Sequence, residues 1–377
     1  MKIVIAIDSF KGSLSSLEAG NAVKEGILEI NPNINVVVKP IADGGEGTVD
    51  ALAAGLCGEV VRVNVSGPLL EEIEAKYCIL NDKIAVIEMA EASGLTIVPL
   101  DKRNPMNTTT YGVGQLIKDA IKRGCRNFII GIGGSATNDV GIGMLSALGF
   151  EFLNQDKSLI EFGAKGLEDI SHISVENVLP ELADCKFRIA SDVNNPLCGP
   201  NGCSHIFAPQ KGASQEQIEL MDLWIDKFSE ICDEFSDTDF SKVPGAGAAG
   251  GLGYAFMTFL NAVLEPGVKI ILEEIRLEDE IRDSDLVITG EGKLDHQTIM
   301  GKAPIGIAKL AKKYSKPVIA FCGIVGDGAH ICNEHGIDAY FPILQKVTSI
   351  EEAMDKKNAY INLKNTVTQV LRLIIKE

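Results

Sequence analysis

No run of apolar residues in this sequence approaches the length needed to cross a bilayer, so a membrane-spanning helix is not expected. The apolar start, Met1-Lys2-Ile3-Val4-Ile5-Ala6-Ile7-Asp8, is too short for a signal peptide and reads as a first buried strand. The nine cysteines are odd in number and scattered along 377 residues, a usage that fits reduced thiols in a cytoplasm rather than a disulfide framework. Histidine is scarce, and neither C-x-x-C nor H-E-x-x-H spacing occurs. The groups Cys198, Cys203, His205 and His330, Cys332, His335 therefore read as structural rather than as zinc ligands. The absence of G-x-S-x-G removes the nucleophile elbow, and the absence of G-x-x-x-x-G-K-[ST] removes the ordinary P-loop. Positive charge is also short: 35 Lys and Arg against 52 Asp and Glu leave a net charge of -17. Such a surface repels nucleic acid and anionic membranes, and neither is an expected partner. It repels ATP and organic acids as well, so a site for them needs local cations, backbone N–H groups or Mg²⁺. Lys11, Arg103, Lys211, Lys293 and Lys302 lie in or near Gly-rich segments and can supply that reversal, although most lysines in such positions are simply solvated.

What the chain has in abundance is glycine, with 38 residues. Twice an apolar strand runs into a loop of glycines and carboxylates with a helix after it: residues 126–132 into Gly133-Gly134-Ser135-Ala136-Thr137-Asn138-Asp139, and residues 285–289 into Gly290-Glu291-Gly292-Lys293-Leu294-Asp295. Glycines let a backbone approach an anion, helix starts hold phosphate, and carboxylates hold Mg²⁺ or accept a proton. The combination points to phosphoryl transfer. Elsewhere, Ser15 and Glu18 have capping-box spacing ahead of Ala19, Val23, Ile27 and Ile30, which predicts a helix from Ser15. A strand over 34–38, the loop Asp43-Gly44-Gly45-Glu46-Gly47 and a helix to Leu56 follow. Runs at 74–80 and 84–89 around Asn81-Asp82-Lys83 read as a hairpin, and helices are expected over 109–122, 140–148 and 214–235. From 285 onward the chain again alternates strand and helix. The two ends are alike in style, so the expected class is α/β: a Rossmann-like parallel-sheet domain from residues 1–66 and 286–377, and an inserted mixed-sheet α/β domain from 67–285. A literal G-x-G-x-x-G at Gly245, Gly247 and Gly250, with Glu265 beyond it, offers a nicotinamide oxidoreductase as the alternative. The residues before it, Asp239–Pro244, make a poor strand, which counts against that reading.

Several of these segments resemble the type I glycerate kinases. Residues 5–15 (Ile-Ala-Ile-Asp-Ser-Phe-Lys-Gly-Ser-Leu-Ser) match the family's opening, and residues 42–48, 131–139, 208–213, 244–253 and 287–295 match later blocks in the family's order. The departures are mild. Ile7 stands where Pro is common, Val140 where Gly is usual, Lys293 where Arg is usual, and His296 replaces a small residue. None of these removes a carboxylate or a loop glycine.

The resemblance implies ATP- and Mg²⁺-dependent phosphorylation of D-glycerate, with 2-phosphoglycerate as product and the 3-phosphate as the alternative. It also implies two α/β domains with the active site in the cleft between them; monomer and homodimer both stay open. Within this frame Asp192 is the first choice for the base that takes the glycerate hydroxyl proton, with Asp295 as its rival. Lys11 is assigned to substrate carboxylate or phosphate charge, with Arg103 as a second candidate. The N–H groups of Gly133–Thr137 are expected to serve the nucleotide at the start of the following helix. Ser9, Gly133, Gly134, Ser135, Thr137, Asn138, Asn194, Gly247, Gly250, Gly290 and Glu291 complete the expected binding set. Asp43, Glu291 and Asp295 are the expected Mg²⁺ ligands.

Overall fold

The computed structural model describes residues 1–42, 47–236 and 238–375. Its strands are β1 (Lys2–Ile5), β2 (Asn35–Val38), β3 (Glu59–Ser66), β4 (Glu72–Ile79), β5 (Ile84–Glu88), β6 (Asn127–Gly131), β7 (Glu151–Leu153), β8 (His172–Ser174), β9 (Lys186–Ala190), β10 (Val263–Glu265), β11 (Leu286–Leu294), β12 (Val318–Val325) and β13 (Ala339–Pro342). The class is α/β with one parallel and one mixed sheet. The chain divides into two compact units, one of Met1–Asp43, Asp50–Cys57 and Val268–Glu377, the other of Gly44–Val49 and Gly58–Gly267.

In the first unit the sheet order is β13-β12-β11-β1-β2, every pair parallel. Strand residues alternate between faces, yet Ile3, Val4 and Ile5 are all fully buried, so both faces are covered. The helix Ser16–Ile30 begins with the predicted capping box between Ser15 and Glu18. Its Ala19, Val23 and Ile27 share a core with Ala359, Leu363 and Val367 of the C-terminal helix Lys356–Leu371.

The second strand–glycine segment departs from expectation. Residues 290–294 read as a loop but continue β11 as strand. Gly290 makes this possible: a Cβ there would lie 1.9 Å from the Phe321 carbonyl oxygen of β12. A Cβ on Gly323 would likewise meet the Gly292 carbonyl oxygen at 2.5 Å. Both glycines allow two strands to approach more closely than side chains permit.

In the second unit the sheet order is β10-β9-β6-β5-β4-β3, parallel from β10 to β5 and antiparallel from β5 to β3. The predicted hairpin is β4–β5, turned by Asp82 and Lys83 at φ of 64° and 58°. A second hairpin, β3–β4, pairs residue for residue from Glu59↔Ile79 to Ser66↔Glu72. That ladder keeps residues 59–66 in the second unit, whereas the sequence reading placed them with the chain ends. Residues 268–285, expected in the insert, lie in the first unit. There Lys2 pairs with Glu280 at 2.8 Å and Lys39 donates to the Ile275 carbonyl. The core of the second unit includes stacked Phe128 and Phe187, with ring centroids 4.8 Å apart, and the only tryptophan, Trp224. Helix 214–235 is an α-helix over Gln215–Ile231 with a capping box at Ser214, followed by a 3-10 turn. Among the described residues no helix is long and apolar enough to cross a membrane.

The close approach at Gly290 leads to a direct test. Gly290→Ala is expected to destabilise the first unit by roughly 1–3 kcal/mol, because the added methyl meets backbone rather than a flexible side chain. Urea unfolding followed by circular dichroism reads the effect; a wild-type midpoint would refute the packing role.

Candidate functional site

At the carboxyl ends of the first unit's parallel strands, where open α/β sheets bind ligands, lies a cavity of about 500 Å³. Asp8, Ser9 and Lys11 reach it from the segment after β1, Glu291 and Lys293 from the end of β11, and Lys302 from the N-terminal edge of the helix Ala303–Lys313. Its other wall is apolar, with Phe10, Ile324, Ile343, Leu344 and Met354. The Asp8 N–H donates to the Gly290 carbonyl at 2.9 Å, which ties the β1 loop to β11. The Asp8 carboxylate accepts from the Ser9 N–H at 2.6 Å. Lys11 is exposed on the cavity lip.

The two expected carboxylates of β11 and its loop are each balanced by a lysine. Glu291 is buried; it accepts from the Thr298 hydroxyl at 2.5 Å and from Lys302 Nζ at 3.4 Å. Burial raises its pKa above the ordinary carboxylate value. Asp295 pairs with Lys293 Nζ at 2.9 Å and accepts from the Gln297 N–H. The Lys293 ammonium holds the Asp295 pKa below its ordinary value. Among the described residues no group of three His, Cys, Asp or Glu gathers as a ready metal site. Glu291 and Asp295 are neighbouring carboxylates, each already paired with a lysine. Asp43, the third expected ligand, lies outside the described residues.

The second unit holds the other half of the expected set. The loop after β6 is not the open N–H cradle that its glycines imply. The Ala136 N–H donates to the Ser93 carbonyl at 2.9 Å, and the Val140 N–H to Gly250 at 3.0 Å. Val140 and Gly141 are left-handed, so the expected helix at 140–148 shortens to Ile142–Ala147. Its first turn is served by the chain's own Asp139, fully buried, which accepts from the Thr110 N–H and hydroxyl at 2.8 and 2.9 Å and from the Gly141 N–H at 3.2 Å. Burial raises the pKa of Asp139. Gly133 and Gly134 are exposed, whereas Ser135, Thr137 and Asn138 are buried. Only the first two therefore keep an open face toward a ligand.

Two of the buried three, Ser135 and Thr137, are held by a residue whose placement the sequence does not reveal. Lys211 is almost fully buried, and its Nζ donates to Ser135 Oγ at 2.8 Å and to the Thr137 carbonyl at 2.6 Å. Burial lowers its pKa to about 8. The Asn138 amide donates to Ser204 Oγ at 2.9 Å.

The remaining expected residues are placed as follows. Asp192 and Asn194 are exposed beyond β9, and the Asp192 carboxylate accepts from the Gly267 N–H at 3.2 Å. Arg103 donates to the Leu95 and Val98 carbonyls at 3.2 and 3.4 Å, so its guanidinium braces a loop. Gly247 and Gly250 are packing glycines. A Cβ at either would fall 2.2 Å from a carbonyl oxygen, of Pro196 and Thr137 respectively. The residues before them form a 3-10 turn at Phe240–Lys242 rather than a strand, which removes the dinucleotide fingerprint's required context.

Glu88, at the end of β5, was not anticipated at all. It is buried and accepts from the N–H groups of Gly47 and Val49 at 3.3 and 2.7 Å, and so caps the helix Thr48–Leu56 from outside. Burial pushes its pKa up to about 7. The one signal available in sequence was an acidic residue ending an otherwise apolar strand.

The model of the Glycerate kinase family matches residues 3–375. Glycerate 2-kinase of Escherichia coli (strain K12) is 47% identical over 364 residues, 96% of this chain and 95% of that protein. A glycerate kinase of Halalkalibacterium halodurans is 45% identical, with 95% of each chain covered. The crystal structure of a provisionally assigned glycerate kinase 2 from Salmonella typhimurium LT2 superposes with a TM-score of 0.91 at 43% identity, covering 99% of this chain and 98% of that one.

The buried Glu88 carboxyl makes stability depend on pH. Its folded pKa of about 7 exceeds the ordinary 4.5, so its contribution is complete below about 4.5 and is lost as pH rises through about 7. Glu88→Gln cannot ionise and is expected to lack that loss. Its melting temperature relative to wild type should therefore climb between roughly pH 5 and pH 8. A difference constant across that range would rule out the buried titration.

Proposed function

The chain belongs to the glycerate kinase family, and on that premise we propose that it transfers the γ-phosphoryl group of ATP to the 2-hydroxyl of D-glycerate, giving 2-phosphoglycerate and ADP. The observation that carries this reading is the pair of lysine-balanced carboxylates, Glu291 and Asp295, beside a cavity at the carboxyl ends of a parallel sheet. The name of the Escherichia coli relative supports the 2-position.

Phosphoryl transfer asks a protein for positioning and charge neutralisation more than for covalent help. Lys11, Lys293 and Lys302 supply positive charge where the molecule as a whole is strongly negative. Glu291 and Asp295, with Asp43, would hold the Mg²⁺ of the incoming Mg–ATP complex, which screens the phosphate charge. Gly133 and Gly134 present exposed backbone for an anionic group, and Lys211 keeps the loop that bears them in one conformation through Ser135 and Thr137. Asp192 accepts the proton of the attacking hydroxyl while the new bond to the γ-phosphorus forms and the bond to the bridging oxygen of ADP breaks. Asp192 then returns the proton to water. The nicotinamide alternative has no support in the packing of Gly247 and Gly250.

Incubation with D-glycerate, ATP and Mg²⁺ followed by phosphorus NMR is expected to show 2-phosphoglycerate. A 3-phosphoglycerate signal would overturn the regiochemistry, and no glycerate-dependent loss of ATP would overturn the substrate. Asp192→Asn is expected to lower kcat by roughly a hundredfold or more with the KM for ATP little changed; near-wild-type turnover would remove Asp192 as the base. Glu291→Gln is expected to raise the Mg²⁺ concentration needed for half-maximal rate, and an unchanged Mg²⁺ titration would remove it as a ligand.

A further inference from the structure

The second unit holds a cavity of about 290 Å³ that shares no residue with the expected catalytic and binding set. Separate stretches of chain build it. Tyr111 begins the helix Tyr111–Lys122, Ile142 and Ser146 lie on the helix Ile142–Ala147, and Phe150, Glu151 and Phe152 come from β7 and the residue before it. The segment 159–162 and Asn177 close the lining. Gly149 lets Asn177 approach: it is left-handed at φ 104°, and a Cβ on it would lie 2.0 Å from the Asn177 carbonyl oxygen.

The apolar lining is largely aromatic. Phe150 and Phe152 are buried and fixed by their own neighbours. Phe150 meets Phe259 edge-on with ring centroids 5.4 Å apart, and Phe152 lies 5.9 Å from Phe228. The Tyr111 and Phe162 rings stand 5.0 Å apart at 59° to each other. Both are only half-buried, so ring surface is left for a guest. A cavity of about 150 Å³ takes one benzene ring, so this one has room for a ring and a short chain.

The charge in the lining is of one sign. Glu151 and Glu161 contribute carboxylates, and among the described residues that line the cavity there is no Lys, Arg or His. Two of its donors are already engaged: Asn177 Nδ2 donates to Glu151 Oε1 at 2.9 Å, and Ser146 Oγ to the Ile142 carbonyl at 2.7 Å. Lys165 reaches Glu161 at 2.5 Å from outside the lining, but both members of that pair are exposed, and such pairs exchange partners at little cost. An anionic guest therefore finds no counter-charge. A cationic one finds carboxylates and aromatic faces, which also attract cations.

We propose that this cavity is a binding site for a small organic cation, a primary ammonium carried on an aromatic or branched apolar group. The apolar part packs against Phe150 and Phe152, and the ammonium meets Glu151. The site does not depend on the kinase reading and is tested apart from it.

The probe is 2-phenylethylammonium, titrated into the full chain and followed by ligand-observed NMR, with 2-phenylethanol and 3-phenylpropanoate as neutral and anionic counterparts. The cation is expected to bind with a Kd of roughly 1 mM or below, and each counterpart roughly tenfold more weakly. Glu151→Gln removes the charge but keeps an oxygen for Asn177. It is expected to weaken the cation roughly fivefold and to leave the alcohol unchanged. Ser146→Phe fills the cavity and is expected to abolish binding of both. The proposal is overturned if the alcohol or the propanoate binds wild type as tightly as the cation, or if the cation shows no binding up to about 10 mM, a concentration well above the expected Kd. It is overturned equally if either variant, native by circular dichroism, binds the cation like wild type. Should Ser146→Phe fail to fold, Glu151→Gln decides the matter alone.

Discussion

Parallel pairing of β1 with β11 is the constraint on which the first unit rests. These strands lie at opposite ends of the sequence, yet Ile3, Val4 and Ile5 face Leu286, Val287 and Ile288 in one register. A parallel pair needs a long crossover, and here the crossover includes the whole second unit. The register has a chemical consequence beyond the strands. The Asp8 N–H meets the Gly290 carbonyl one step further on, which brings the Asp8–Lys11 loop beside Glu291. Without that pairing, the acidic and basic groups of the cavity would belong to unrelated parts of the chain.

Charge is distributed with the same economy. The protein is strongly acidic overall, but Glu291, Asp295, Asp139 and Lys211 are all buried and each has hydrogen-bond or ion-pair partners. Glu291 and Asp295 are neighbours that would repel each other, and each has its own lysine. The two carboxylates nevertheless differ: burial raises the pKa of Glu291, while Lys293 lowers that of Asp295. In the second unit a lysine is buried without a carboxylate in direct contact, its ammonium held by a hydroxyl and a carbonyl. Burying such a group is costly, and the loop that receives it must be well ordered for the hydrogen bonds to offset that cost.

Much of the fold could be read from the residues. The capping boxes at Ser15 and Ser214 set helix starts, the Asn81-Asp82-Lys83 turn marked a hairpin, and alternating apolar strands and glycine loops marked a parallel sheet. The glycines were harder to interpret. Gly133 and Gly134 keep an open face, but Gly247, Gly250 and Gly290 exist because backbone approaches backbone. In sequence the two situations look identical, since both require only the absence of a side chain. β3 was assigned to the wrong unit for a related reason. Its apolar alternation is visible, but its partner strand is chosen by the hairpin ladder.

The sequence by itself determined the elements, the family resemblance and the list of carboxylates and lysines capable of phosphoryl chemistry. Periodicity, caps and turns act over a few residues and need no knowledge of the rest of the chain. Only the tertiary structure decided which of those groups lose water and which cations face them. Glu88 and Lys211 carry shifted pKa values because of burial, and burial is produced by segments far apart in sequence. The apolar wall of the cavity is likewise assembled from the ends of separate strands and a distant helix. No local pattern records such a surface, because its parts acquire their chemistry only by being brought together.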